Sequence, residues 1–127
     1  MLFRSDPHEI ANVAGTQGIQ FMMERTEGLT LDVFFMLPSC VPATGLDESG
    51  AVLSADKLEP FYKEERVLGL AELMNSYGTT RADRGILDKL SGALDRNKLV
   101  DGHAPGLSGK ELNAYVTAGV KIGRAHV

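Results

Sequence analysis

Three short apolar runs punctuate the chain: Leu29-Thr-Leu-Asp-Val-Phe-Phe-Met-Leu37, Val67-Leu-Gly-Leu-Ala-Glu-Leu-Met74 and Lys98-Leu-Val-Asp-Gly-His103, each bounded by Gly, Pro or charge. Runs of this length that do not alternate with polar residues predict strands buried on both faces. Between them the period becomes helical. Ile86, Leu87, Leu90, Ala93 and Leu94 fall on one face, and so do Leu112, Tyr115, Val116 and Gly119, which predicts two helices with a single buried stripe each. A weaker helix is predicted from Ser54 to Glu64, where Leu58, Phe61 and Tyr62 keep the spacing and Pro60 kinks it or delays its start. An N-terminal helix is predicted over roughly Glu9 to Glu24, interrupted around Gly15 and Gly18. Two helix starts carry capping-box residues, Asp6-Pro-His-Glu9 and Ser108-Gly-Lys-Glu111.

Strands alternating with helices imply a parallel sheet with crossover helices, so the fold class is α/β. About three strands with flanking helices are too few to close a (β/α)8 barrel, which needs eight strands and ~250 residues. The pattern therefore predicts a piece of such a barrel.

Composition narrows the function classes. The 127 residues include 13 Lys+Arg against 17 Asp+Glu, for a net charge of -4. With no basic cluster, nucleic acid and anionic membrane surfaces are not expected as main partners. The longest uninterrupted apolar stretch, Val33 to Leu37, stops at Pro38, far short of the ~20 residues a membrane helix requires. A single cysteine, Cys40, cannot form an internal disulfide, and a cytoplasmic location is the default expectation.

The two ends read differently from the middle. Leu2-Phe-Arg-Ser5 and Ile122-Gly-Arg-Ala-His-Val127 match what short-read sequencing adapter encodes when translated. The expected organisation is thus residues 1–5 as a non-native tail, 6–120 as a fragment of a barrel domain and 121–127 as a second non-native tail, since processing scars are set aside before fold reasoning.

The chemistry gathers at the strand ends. His8, Cys40, Glu72 and His103 each fall at the C-terminal end of a strand, the one for His8 being expected upstream, and they are spaced by 32, 32 and 31 residues. Each interval is one β/α unit, and α/β barrels build their active sites at that end of the strands. Glu72 is the sharpest signal, because a carboxylate in an apolar strand must be paired, protonated or on a metal to offset several kcal/mol of desolvation. His103 sits among the small residues Gly102, Ala104, Pro105 and Gly106, a setting that admits a ligand or metal to the ring. Together they suit a Zn, Mn or Fe site, or else a structural ion pair and a hydrogen-bonded histidine. For Asp6 the helix-cap role competes with a functional one, whereas His8 caps nothing. Ser39 and Cys40 lie in a stiff two-proline loop. A Cys40/His103 nucleophilic pair is disfavoured, because no basic neighbour or helix N-terminus is signalled to lower the thiol pKa. Gly106-Leu-Ser-Gly-Lys110 lacks the spacing of a phosphate loop.

Asp6-Pro-His-Glu-Ile-Ala-Asn-Val13, Ser39-Cys-Val-Pro-Ala-Thr44, Gly69-Leu-Ala-Glu72 and Asp101-Gly-His-Ala-Pro-Gly-Leu-Ser-Gly-Lys-Glu-Leu-Asn-Ala-Tyr115 together resemble the bacterial and archaeal adenine deaminase family of the amidohydrolase superfamily. The resemblance runs in order through residues 6–120. It implies a metal-dependent (β/α)8 barrel that hydrolyses adenine to hypoxanthine and ammonia in purine salvage, with two divalent ions of Mn, Fe or Zn and a small-molecule substrate. It assigns Glu72 to the metal-bridging carboxylate and His103 to a metal-ligand histidine. Asp6, His8, Ser39 and Cys40 become substrate-pocket candidates, and the intact enzyme could be a homo-oligomer.

The same resemblance places other parts outside this chain: paired histidines before Asp6, an Asp-His-Glu segment after Val120, the aspartate of the last strand and the acid/base group that serves the leaving ammonia. The fragment alone is therefore expected to be inactive. One departure stands out, since Asn75-Ser-Tyr-Gly-Thr-Thr80 replaces the aromatic-Pro-Gly-Val turn common in the family. It leaves open a paralogue acting on another cyclic amine or amide. A non-catalytic barrel scaffold is the alternative from a different class.

Overall fold

The structure is a computed structural model that describes residues 2–43 and 46–124. Five parallel strands form one sheet in sequential order: β1 (Leu2–Ser5), β2 (Asp32–Pro38), β3 (Val67–Leu73), β4 (Leu99–His103) and β5 (Lys121–Arg124). Each strand pairs with the next in the chain, as in an arc of a barrel wall, and each return is made by a crossover. The helices are α1 (His8–Arg25), α2 (Ala55–Leu58, continued by a 3-10 turn over Glu59–Lys63), α3 (Ser76–Thr80), α4 (Arg84–Leu94) and α5 (Gly109–Thr117).

The three strands expected from apolar runs are the three central ones. The edge strands β1 and β5 come from residues 2–5 and 121–124, which the apolar pattern did not mark as strands. Between Ser54 and Glu64 the chain does start a helix, but Pro60 stands at the start of the tighter 3-10 turn rather than inside an α-helix.

Ile19, Phe35, Leu37, Leu58, Val67, Leu70, Leu73, Val100 and Tyr115 belong to one buried cluster between sheet and helices. Phe35, Leu37, Val67 and Leu70 are fully buried, which explains the unbroken apolar runs that encode them. The break in α1 falls at Gly15, whose φ of 60° and ψ of -140° lie outside the helical region; a glycine tolerates that turn where another residue would be strained. Gly18 remains helical and lets the Ile10 carbonyl approach closely.

Both capping-box expectations fail. Pro7, not Asp6, occupies the N-cap of α1, and it makes no side-chain cap bond; Asp6 instead turns toward Arg4, 3.4 Å away. Ser108 holds the N-cap of α5 without a side-chain hydrogen bond either. The caps that do form were not anticipated: Asn75 accepts from the Gly78 amide at 2.7 Å and Asp83 from the Ile86 amide at 3.2 Å. The Asn75–Thr80 segment is consequently the short helix α3 rather than an open loop. Among the described residues, no helix is long and apolar enough to cross a membrane.

Candidate functional site

The C-terminal ends of β3 and β4 bring Glu72 and His103 together, with His103 Nε2 3.3 Å from Glu72 Oε1. The two side chains are each 36% exposed, so Glu72 is not desolvated inside its strand as the apolar run suggested. The backbone explains the difference. Glu72 has φ 44°, a left-handed conformation that costs a residue with a Cβ roughly 1–2 kcal/mol. The β3–β4 register breaks between Leu70 and Leu73, across that residue, which is how a bulge re-aims a side chain at a sheet's end.

Both backbone groups of this strained residue are held by side chains. The Glu72 amide donates to Asp101 Oδ1 at 3.0 Å. Its carbonyl accepts from Ser39 Oγ at 2.9 Å. Asp101 also receives Arg4 Nη1 on Oδ2 at 2.7 Å. Ser39, expected to line a substrate pocket, is instead almost fully buried at 1% exposure and faces Glu72 and the Cys40 sulfur, 3.2 Å away.

His8 and Cys40 do share a cavity. A groove of about 410 Å³ is lined by His8, Glu9, Asn12, Val13, Cys40, Val41, Ala43 and Met74, most of it from the start of α1 and the segment after β2. Lys89 is the basic neighbour of Cys40 that sequence did not reveal. Its Nζ donates to the Ser39 carbonyl at 2.7 Å, and burial holds its ammonium below the usual lysine range against the opposing pull of Cys40 and Asp83.

Three polar atoms around the mouth are buried without a partner: Asp6 Oδ1, His8 Nε2 and His103 Nδ1. Native structures rarely leave such atoms unsatisfied unless something else completes them. The Asp6 carboxyl is raised above the ordinary carboxylate range. Desolvation is the main cause; Arg4 opposes it, Asp101 and Glu72 add to it, and His8 opposes it.

A divalent ion fits this donor set in part. Two ligands about 2.1 Å from one ion at a tetrahedral angle are about 3.4 Å apart, close to the Glu72–His103 separation. Among the described residues, however, no three His, Cys, Asp or Glu are grouped so as to hold an ion. Glu72 and His103 could contribute two ligands to a site completed by others; His103 Nδ1, on the other side of the ring from Nε2, is buried without a partner. Asp101 was legible only as part of a motif. Nothing in the sequence marked its contact with Glu72, 29 positions away.

Comparisons with known proteins bear on the family of the chain. The model of the Amidohydrolase family matches residues 3–127. A Clostridium acetobutylicum protein named adenine deaminase is 56% identical over 116 residues, covering 91% of this chain and 20% of its own length. A Carboxydothermus hydrogenoformans protein named adenine deaminase 2 is 55% identical over 115 residues, again 91% of this chain and 20% of the relative. A Bacillus pumilus adenine deaminase is 50% identical over 117 residues, 92% of the chain and 20% of the relative. The chain thus spans about a fifth of the length of the curated relatives it matches.

Proposed function

This chain belongs to the amidohydrolase family, and on that premise we propose that it is part of a hydrolase that deaminates adenine to hypoxanthine and ammonia. The observation that carries the reading is the Glu72–His103 pair at adjacent C-terminal strand ends, 3.3 Å apart, in a chain half identical to proteins named adenine deaminase. In this reading the native stretch is residues 6–120, and the remaining ligands and the acid/base group lie in the rest of the parent protein.

Glu72 and His103 would hold divalent metal, two ions of Mn, Fe or Zn in the complete site. When bound, such ions supply Lewis acidity and make water a nucleophile near neutral pH. The chain's own contribution is placement. The left-handed turn at Glu72 aims a carboxylate outward from β3, and β4 sets the His103 ring against it. The groove, with Val13, Val41, Ala43 and Met74 on its apolar walls and His8, Glu9, Asn12 and Cys40 as its polar groups, offers apolar faces and hydrogen-bonding edges to a flat heteroaromatic base. Desolvation, opposed by Arg4 and reinforced by Asp101 and Glu72, lets Asp6 keep a proton more readily than an ordinary carboxyl, while the acid/base step belongs to the group outside this chain.

The test is to recover the intact gene, express the protein with Mn, and measure ammonia release from adenine beside a Glu72→Ala variant. Activity that falls by about a thousandfold or more in the variant, equivalent to about 4 kcal/mol, supports metal-dependent deamination centred on Glu72. An active wild type whose variant keeps its rate removes Glu72 from that role. An intact protein that binds metal yet ignores adenine favours a paralogue acting on another cyclic amine or amide, for which the α3 segment is the structural reason; a parent without the remaining ligands favours a scaffold.

A further inference from the structure

Glu72 is the described residue whose position is least explained by its own strand. It has a left-handed backbone and it sits where the β3–β4 register is interrupted. A backbone so placed loses the ladder bonds that hold its neighbours, and strained residues of this kind persist only when their surroundings over-determine them. Here the surroundings are two side chains from the strands on either side. Asp101 in β4 takes the amide hydrogen at 3.0 Å, and Ser39, directly after β2, gives its hydroxyl hydrogen to the carbonyl at 2.9 Å.

We infer that Asp101 and Ser39 are positioning residues that clamp the Glu72 peptide from both sides and so hold its carboxylate within reach of His103. The inference rests on the reading of Glu72 and His103 as metal ligands and adds to it the two groups that set the angle of the carboxylate. Ser39 is suited to the task by its surroundings. It is 1% exposed, its own carbonyl is fixed by Lys89 at 2.7 Å, and of the two acceptors in reach of its hydroxyl the Glu72 carbonyl oxygen at 2.9 Å is nearer, and a better acceptor, than the Cys40 sulfur at 3.2 Å. Asp101 needs only its Oδ1 for the clamp. The contact of its other oxygen with Arg4 involves the adapter-like segment and plays no part. Side chains that orient a ligand from behind typically alter metal affinity or activity by about 10- to 100-fold when removed.

The experiment uses the full-length protein that contains this chain, with Asp101→Ala, Asp101→Asn, Ser39→Ala and Glu72→Gln compared by Mn affinity in chelator competition, by kcat and KM for ammonia release, and by the backbone angle at Glu72 in crystals. The expected result is a loss of about 10- to 100-fold in Mn affinity for Asp101→Ala and Ser39→Ala, with kcat falling and KM little changed. Asp101→Asn should recover most of it, because its amide oxygen can accept the same hydrogen bond; a role in general stability would not distinguish the two Asp101 variants in this way. If Asp101→Ala fails to fold, Ser39→Ala decides. Wild-type Mn affinity in Ser39→Ala and, where it folds, in Asp101→Ala overturns the clamp while Glu72→Gln still loses metal. A Glu72→Gln variant that binds Mn normally overturns the ligand reading, and the clamp with it.

Discussion

The Tyr115 hydroxyl donates a hydrogen bond to the carbonyl of Leu73, the residue that follows Glu72, so α5 is fastened to the strand end that carries the candidate ligand. Gly102 makes the contact possible, since a Cβ there would collide with the Tyr115 hydroxyl. The tyrosine is fully buried. Removing its oxygen leaves a buried carbonyl unsatisfied, which costs about 1–3 kcal/mol. Tyr115→Phe should therefore lower the stability of the chain by that amount in urea denaturation followed by circular dichroism. An unchanged midpoint would show that the bond carries no net stability.

The same side chain makes an alkaline prediction. Burial pushes the Tyr115 phenol up to about 12, with Cys40 adding to the effect, and burial pushes Tyr62 up to about 12 against the pull of Arg96. In the unfolded chain both titrate near 10.0. Between pH 10 and 12 the unfolded state has released protons that the native state keeps, so stability falls as pH rises through that window. The loss is on the order of 2 kcal/mol for each phenol. Tyr115→Phe should be less sensitive to alkali over that range than wild type; equal slopes would mean that Tyr115 ionises normally.

Gly69 explains how β3 and β4 lie so close below the site. A side chain at this position would run into the backbone of Leu99, which cannot move aside without breaking the ladder. Gly69→Ala should cost about 1–3 kcal/mol or more as overpacking, and it should disturb Glu72 and His103 together. Its measurement is the same urea series, and a neutral result would mean that the strands separate easily.

What the chain reveals to sequence reasoning depends on how locally each feature is encoded. β2, β3 and β4 stood out because strands buried on both faces need continuous apolar runs, and α4 because a one-sided helix needs a stripe, although its Leu94 is exposed; of the stripe expected in α5 only Tyr115 is buried, with Val116 exposed and Gly119 beyond the helix. Glu72 and His103 stood out because a charge in an apolar run and a histidine among glycines are local contrasts. The Glu72 clamp did not, since Asp101 and Ser39 meet it across 29 and 33 positions and neither contrasts with its neighbours. The caps misled for a related reason. Asp6 has the composition of an N-cap, but a carboxylate beside a cluster of charged groups responds to that cluster rather than to the helix behind it. β1 and β5 were set aside with the two ends; Leu2 and Phe3 remain largely exposed in the structure, so no buried pattern betrays β1.

The α3 segment should govern substrate choice more than chemistry. Asn75 caps it through the Gly78 amide at 2.7 Å, and its carbonyl also receives the Thr79 hydroxyl at 2.8 Å. Asn75→Ala removes the cap, at a cost of about 1 kcal/mol to this short helix. In the full-length protein KM for adenine should rise by up to about tenfold, or 1.4 kcal/mol, with kcat little changed, because uniform binding rather than a transition-state contact is lost. Steady-state ammonia release measures both. A fall in kcat at constant KM would put α3 in the chemical step.

The adapter-like ends make the last prediction, and it bears on one contact in the site. Arg4 pairs with Asp101 at 2.7 Å and with Asp6 at 3.4 Å; its side chain is 48% exposed. A pair this open contributes at most about 1 kcal/mol, so the site does not depend on it. Resequencing the source locus should show a genomic sequence that departs from this one before Asp6 and after about Val120, with another residue in the place of Arg4. Restoring that residue should leave the Asp101–Glu72 hydrogen bond intact, because Asp101 uses a different oxygen for each partner. If the genome encodes Leu2 to Ser5 and Ile122 to Val127 as they stand, the tails are native and Arg4 becomes a genuine third member of the Asp6–Asp101 group; Arg4→Ala should then push the Asp6 carboxyl higher still, since Arg4 is the main influence holding it down. Carboxylate titration by NMR in that variant checks the shift, and an unmoved Asp6 would remove Arg4 from the group.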